Sequence, residues 1–500
     1  MAEVGSDLIT MADIARLAGQ SRSAVGNWKA RNPEDFPAES GRGPRGPLYD
    51  RAEVTKWLEA SNWLDRRPPE VAAVWSLADQ LRADMTTEDA MSLILVLLAV
   101  MSTSSRSEWK RIEQARPGEL DETLRAVVHA HFPFAEEVMP HNRLAESVAH
   151  AVSTFSSLDR PHLALMADAL LNQTAEWMGP RGGEYLSPLS VRKLVVAIAE
   201  AVGSVYNPAT GIGQLMVDVV CAEQSRVTEI VGQEINSRVR AMSRLNLAVH
   251  HVDAKVALGD VFRDDHYPQL RADRVIAVPP WSQKIPVLER LRDDPRWLWG
   301  EPGSNDGNVA WIQHCLYHLA DGGRAVIVMP NAALFESGRA GRIRQRIVKS
   351  GLLDAVVALP PGLFTTTGLA CAVLVFSKGR PNAGGKPTPT LMIDISDVAE
   401  RHGRRTTLDD DLIDDVARTY HAWRAGTAPT SEHIAVAQFQ DLVANDFVID
   451  PGRYLAVPHL QVDAGGANRR RSQLLEQLED LTLVSQDADA QLKAILGARR

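Results

Sequence analysis

Residues 204–213 read SVYNPATGIG, and the order of residue types in this stretch decides the fold. Ser204 to Tyr206 has the β-branched and aromatic content of a short strand, and Asn207 and Pro208 end it. Gly211 and Gly213 then allow a turn whose backbone can approach a ligand closely, ahead of a helix whose first N–H groups are unpaired. Outward from this point the pattern repeats. Strands are expected at Glu229 to Gln233, Lys255 to Leu258, Arg274 to Ala277, Arg324 to Met329, Leu353 to Leu359 and Ala370 to Ser377, alternating with helical periodicity. After the loop GRPNAGGKPTPT comes one more, Leu391 to Ile395. Such alternation specifies a doubly wound α/β sheet, which binds ligands outside the C-terminal ends of its strands.

Three acids or loops fall at those ends. Glu234, in VGQEIN, closes the second strand and is placed to accept both hydroxyls of a ribose. Asp260, in GDVF after the third strand, can take an adenine amino group, with Val261 or Phe262 flanking the ring. The fourth strand runs into Val278, Pro279, Pro280 and Trp281. Taken singly, each acid is equally well read as a helix cap or a solvated loop charge. Their recurrence strand after strand favours a nucleoside site.

The flanking regions read differently. Residues 1–62 form a small helical module: Thr10 caps a helix from Met11 to Ala18, and a second helix starts at Ser21 or Ser23 and runs through Trp28 and Arg31. The loop SGRGPRGPLYD and a third helix, Arg51 to Leu58, follow. This order resembles the winged helix-turn-helix of excisionase and MerR-like proteins, which read duplex DNA through the second helix. The resemblance makes Ser21, Arg22, Ser23, Asn27, Trp28 and Lys29 the reading face and sets Arg42 and Arg45 near phosphates. A protein-docking module with scattered charges is the alternative.

Residues 70–175 carry helical periodicity, and Thr86 and Asp89 have capping-box spacing ahead of the buried run AMSLILVLLAVM. Residues 176–400 hold the α/β pattern, and 401–467 form an extension containing DDDLIDD and DPGRYL. Residues 468–498 form a helix with Leu474, Leu481, Ala488 and Ile495 at seven-residue spacing, a short seam for a partner subunit or for self-association.

Composition sets the outer bounds. With 54 basic and 63 acidic residues the net charge is -9, so indiscriminate coating of nucleic acid is excluded and only local basic patches remain. Cys221, Cys315 and Cys371 have no metal-ligand spacing, so no metal is expected. The N-terminal residues lack a signal sequence, and the longest apolar run is too short for a bilayer, which implies a cytoplasmic protein with no membrane partner.

The order of motifs resembles the N6-adenine DNA methylase family, and especially the methylation subunits of type I restriction-modification systems. The resemblance spans roughly residues 75 to 500. Gly183, Glu184, Tyr185, Leu186, Ser187 and Pro188 are similar to the family's segment over the cofactor, and GQEINSRVRAMSRLNLAVHHV is similar to its second strand and helix. LPPGLFTTTGLACAVLVFSKG and DPGRY match later segments.

It implies a class I S-adenosylmethionine-dependent methyltransferase, Rossmann-like with a mixed seven-stranded sheet, helical N-terminal domains and a C-terminal helix. S-adenosylmethionine would lie against Glu184, Tyr185, Ser187, Pro188, Asn207, Ala209, Thr210, Gly211, Gly213, Glu234, Asp260 and Val261. Double-stranded DNA is the implied substrate, and a specificity subunit an implied partner. Active members begin the catalytic loop with Asn or Asp, whose side-chain oxygen accepts a hydrogen from the target amine while an aromatic residue stacks on the base.

Here that position is Val278, followed by Pro279, Pro280 and Trp281. Asn207 likewise replaces the acid that many members place before the glycine loop. Two functions lead from the resemblance: an adenine N6-methyltransferase with a degenerate loop, or a catalytically silent methylase-like DNA-binding or regulatory protein; methylation of a protein amide or an RNA base is a third, minor reading, disfavoured by the downstream segments.

Overall fold

The computed structural model describes residues 8–455, except 19–24, 27, 30–34, 44–45, 61–68, 117, 141–144, 157, 159, 179–185, 286–292, 365–367, 380–387, 399, 403–404 and 430. Among these, nine strands build one mixed sheet. In chain order they are β1 (Val202–Asn207), β2 (Arg226–Glu234), β3 (Lys255–Leu258), β4 (Ala272–Ala277), β5 (Leu319–Pro330), β6 (Leu353–Ala358), β7 (Cys371–Ser377), β8 (Thr390–Asp394) and β9 (Ile434–Ala437). Across the sheet the order is β9-β8-β6-β7-β5-β4-β1-β2-β3.

β1 to β5 run parallel, while β7 lies antiparallel between β5 and β6. The seven-stranded arrangement expected from the sequence is therefore present from β3 to β6, and β8 and β9 extend it. β8 pairs parallel with β6, and β9 pairs antiparallel with β8. β6 and β7 are buried along their full length, as strands covered on both faces must be.

Two apolar clusters sandwich the sheet. One contains Val195, Ile198, Met216, Val328, Val357, Val375 and Tyr420; the other contains Val275, Leu316, Ile327, Ile347, Val356 and Leu374. The period-two alternation of β-strand side chains delivers Val356 to one face and Val357 to the other.

Among the described residues, six α-helices between residues 69 and 178 form a bundle ahead of the sheet: Pro69–Leu81, Thr87–Thr103, Arg106–Glu113, Leu120–His131, Ala145–Ser156 and Leu163–Met178. In the second, every side chain from Ala90 to Met101 is buried. Its start follows the capping logic: the Thr86 hydroxyl accepts from the Asp89 N–H at 3.1 Å. The bundle packs on helix Ser237–Val249, whose Val239, Met242, Leu245 and Val249 join the bundle's own core. Arg238 clamps this interface through Asp89 at 2.6 Å, and the Arg244 guanidinium stacks on Phe134 at 3.6 Å.

The N-terminal residues form a separate small core around Ile14, Tyr49, Val54 and Leu58. Helices Met11–Leu17 and Arg51–Ala60 lie with a three-stranded antiparallel sheet, Leu8–Thr10 against Gly46–Asp50 against Glu39–Gly43. The segment expected as a wing-like loop is thus a β-hairpin. No helix among the described residues is long and apolar enough to cross a membrane.

Candidate active site

A cleft of about 240 Å³ opens at the C-terminal ends of β1, β2, β3 and β4. Its lining brings together residues that the sequence places far apart, among them Ser187, Asn207, Ala209, Thr210, Gly211, Glu234, Asp260, Val261, Val278 and Pro280, plus Gln283. The sheet achieves this because each strand ends at the same edge before its chain turns into a helix or loop.

The glycine loop is fixed by its own hydrogen bonds. The Asn207 side-chain oxygen accepts from the Ala209 N–H at 3.1 Å, and the Gly211 N–H donates to Glu234 Oε2 at 2.9 Å. Glu234 Oε1 accepts from the Asn236 N–H at 2.9 Å. Burial pushes the Glu234 carboxyl above its ordinary pKa, against the pull of these backbone donors. Each oxygen keeps a further lone pair, so the carboxylate can still receive a ribose diol. Asp260 Oδ1 accepts from the Phe262 N–H at 2.9 Å, and Arg263 lies 3.4 Å from Oδ2.

Gly213 does not line the cleft; it makes the turn. Its φ is 79°, and a Cβ there would sit 2.8 Å from the Ser243 hydroxyl oxygen. Gly213→Ala therefore lowers unfolding free energy by about 1 to 3 kcal/mol through αL strain and crowding, read by chemical denaturation. A loss below a few tenths of that would mean the loop tolerates a side chain.

The catalytic-loop residues divide. Val278, half-buried, and Pro280, exposed, face the cleft, whereas Pro279 is buried behind it. Trp281 is not among the lining residues either. Its indole N–H donates to the Val328 carbonyl at 3.1 Å, and its ring meets Phe364 edge-on at 4.6 Å. Packing thus holds the expected stacking residue in place on the sheet side. The loop is braced from below: Asn308 Oδ1 accepts from the Ser282 N–H at 3.1 Å and its Nδ2 donates to Glu336 at 2.8 Å. Gly307 lets this happen, since a Cβ there would fall 2.1 Å from the Gln283 carbonyl oxygen.

Pro188 borders a neighbouring pocket with Leu363 and Thr406 instead. Glu184 and Tyr185 lie outside the described residues, as do Ser21, Arg22, Ser23, Asn27, Arg45 and the helix expected at 468–498. Arg42 is exposed on the hairpin. Lys29 is tied inward, donating to Glu39 at 2.5 Å and to the Tyr49 hydroxyl at 2.9 Å, and Trp28 packs edge-on to Trp57. Those two side chains serve the module's own packing because Glu39 and Tyr49 of the hairpin meet Lys29, and Trp57 of helix Arg51–Ala60 meets Trp28.

Several lining residues were not singled out from the sequence: Arg192, Gln214, Gln233 and Asn236. Gln214 Oε1 is a buried acceptor with no partner among the described residues, beside Asn207 and Ser187 on the cleft wall. Trp311, which the sequence places on an apolar helical face with Ile312, Cys315 and Leu316 and so reads as core packing, is 5% exposed yet also forms part of that wall.

Behind Val261 lies a buried polar network. Arg296 donates to the Val261 carbonyl and to His314 Nδ1 at 3.0 Å, while His314 Nε2 meets the Tyr206 hydroxyl at 3.1 Å. His318 bonds Asp265 at 3.0 Å. Burial, then the neighbouring His318 and Arg296, hold His314 well below its ordinary pKa, so it is neutral. Asp265, His314 and His318 are close enough to share a cation. Their ring nitrogens are already committed to protein partners, and the Arg296 charge stands where a metal's charge would be repelled.

A seven-strand core of this order, carrying a cleft with an acid at the end of β2, defines a class I methyltransferase fold. Comparison with known proteins narrows this. Residues 160–462 match the family model described as N-6 DNA Methylase, and the chain belongs to that family. It is 29% identical over 341 residues to the type I restriction enzyme HindI methylase subunit of Haemophilus influenzae, covering 65% of this chain and 76% of that one.

It is 26% identical to the MjaIX methylase subunit of Methanocaldococcus jannaschii, with 66% and 61% covered. The crystal structure of a type I restriction-modification methyltransferase subunit from Streptococcus thermophilus superposes with a TM-score of 0.64 at 21% identity, over 78% of this chain and 99% of that one. That likeness concerns the fold.

Proposed function

We propose that this chain is a DNA-modifying subunit that binds S-adenosylmethionine in the β1–β4 cleft and presents an adenine of duplex DNA to the loop of Val278 to Trp281. The observation that carries the reading is the convergence of Glu234, Asp260, the Gly211 turn and Val278 on one cleft. The cofactor supplies an electrophilic methyl group on a sulfonium. Glu234 holds the ribose; Asn207 and Gln214 lie toward the amino-acid end as acceptors for an ammonium; Asp260 and the Val261 wall hold the base.

An adenine stacked inside a duplex is out of reach, so the base leaves the stack and meets the Pro280 side of the loop. Val278 contributes no acceptor to its amine, and turnover is slow for that reason. Double-stranded DNA and a specificity subunit are the partners this reading requires, and the N-terminal module adds a DNA-binding surface of its own.

Two measurements test it. Titration calorimetry with S-adenosylmethionine should show saturable binding, and methyl-tritiated cofactor should label adenine in DNA when the chain is expressed with its neighbouring subunits. Absence of both sinks the reading. Cofactor binding also depends on pH through Glu234, whose raised pKa makes the carboxylate protonate at a higher pH than an ordinary glutamate. Affinity therefore falls on acidification beginning above 4.5, the ordinary glutamate value, and Glu234→Gln removes that dependence together with most of the affinity.

A second reading, a silent DNA-binding regulator, is favoured by the hydrocarbon side chain of Val278. It expects cofactor and DNA binding without label transfer.

A further inference from the structure

Helix Gly338–Lys349 reads GRAGRIRQRIVK, five basic residues with no acid between them, in a chain whose net charge is -9. Its inner face is ordinary core: Ala340, Ile343, Ile347 and Val348 are buried. Arg344 also turns inward, bonding the carbonyls of Phe447 at 3.0 Å and Glu336 at 2.8 Å. Lys349 covers the Phe447 ring at 4.9 Å. Arg339, Arg342 and Arg346 remain, at i, i+3 and i+7, all exposed along one stripe.

Two neighbours place this stripe against segment 299–303, which leads into the Asn308 brace under the catalytic loop. Arg346 donates to the Trp299 carbonyl at 3.0 Å, and Arg339 lies 3.4 Å from where a Gly303 Cβ would stand. The helix starts two residues after Glu336, which holds Asn308 and through it the Ser282 end of the catalytic loop. Nearby, Leu298 is 76% and Phe335 51% exposed, large apolar side chains flanking the cations.

From Arg339 to Arg346 the helix rises about 10 Å, seven residues at 1.5 Å each. That is the axial length of about three phosphates on one strand of B-DNA. Solvated helix faces normally carry both signs of charge, which this one does not.

We infer that Arg339, Arg342 and Arg346 form a track for the phosphate backbone of duplex DNA, running past the cleft on the side of segment 299–303. The inference rests on the DNA-methylase reading above and names a surface that reading leaves open. Phosphate interactions position a duplex without reading its sequence, so the track can be tested without knowing the recognition site.

The test is fluorescence anisotropy of a labelled 30-base-pair duplex of mixed sequence with the full chain, titrated between 50 and 200 mM salt. The triple variant Arg339→Gln, Arg342→Gln, Arg346→Gln should lower the slope of log affinity against log salt by about 2 to 3, close to 0.9 for each phosphate no longer neutralised. Binding at the low-salt end should weaken roughly 10²-fold.

A matched triple, Arg226→Gln, Lys255→Gln, Arg271→Gln, removes the same charge from exposed residues at the N-terminal ends of β2, β3 and β4, the opposite edge of the sheet. It should leave the slope within about 0.5 of the unaltered chain. Equal slopes for the two triples, or no duplex binding by the unaltered chain, overturn the inference, the former pointing to an acidic protein partner for the stripe. S-adenosylmethionine binding, followed on the same samples, separates this from the wider reading. A chain that binds cofactor but shows no special role for the stripe refutes only the track, whereas loss of cofactor binding in the unaltered chain refutes the methylase reading.

Discussion

Val278→Asn raises label transfer from S-adenosylmethionine into DNA by about 10² to 10³-fold, with cofactor affinity unchanged. An exocyclic amine is a poor nucleophile because its lone pair is delocalised into the ring. A loop that accepts both amine hydrogens favours the pyramidal form that attacks. Val278 follows the last residue of β4 and borders the cleft beside Pro280, so an asparagine there places its oxygen where the hydrocarbon now stands. Removing one preorganised acceptor from a transition state costs about 3 to 4 kcal/mol, and restoring it returns the corresponding rate. An unaltered rate in a variant that still binds cofactor and DNA would show that the loop is not used for amine activation.

Arg192→Met has the largest expected effect on stability. Arg192 is 1% exposed and joins three elements: it pairs with Asp218, donates to Asn172 Oδ1 at 3.0 Å, and donates to the Ser187 carbonyl at 3.1 Å. Truncation leaves a largely enclosed carboxylate without its cation, a change that typically costs about 3 to 5 kcal/mol.

Its pH signature has a definite sign. Burial already pushes the Asp218 pKa up despite the pull of Arg192, and losing the cation pushes it higher. A raised folded pKa means stability present at low pH and lost as pH rises through it. The deficit relative to the unaltered protein should therefore shrink on acidification, read as unfolding midpoints at about pH 5 and about pH 8. A deficit independent of pH would assign the damage to the Asn172 and Ser187 hydrogen bonds alone.

Much of this architecture can be read from the chain itself, for local reasons. β3 lies where its short apolar run, Val256 to Leu258, and the closing Gly259 put it, and the Thr10 and Thr86 caps start their helices as their spacing requires. β9 is harder: four residues at a sheet edge, IAVA, carry too little periodicity to stand out from the surrounding loop.

The cleft acids are legible because each ends a strand. Arg192 and Gln214 are not, since a cation and an amide within helical patterns look like surface residues until Asp218 and Asn172 are folded against them. The same holds for His314 and His318. Their one-turn spacing is visible, but Tyr206, Asp265 and Arg296, which determine what those rings do, come from three other parts of the chain. Trp281 illustrates the converse: the residue type is right for stacking on a base, and tertiary packing onto Val328 and Phe364 decides its orientation.

Helix Ser237–Val249 sets a limit on how the molecule can be dissected. With Val239, Met242, Leu245 and Val249 plugged into the preceding bundle and Leu247 in the sheet's core, it is apolar on two sides, and the stripe of Arg240, Arg244 and Ala248 is partly open to water. A fragment starting at residue 186 would bare a greasy strip along that helix and invite self-association. The bundle and the α/β half thus share one continuous apolar core through this helix.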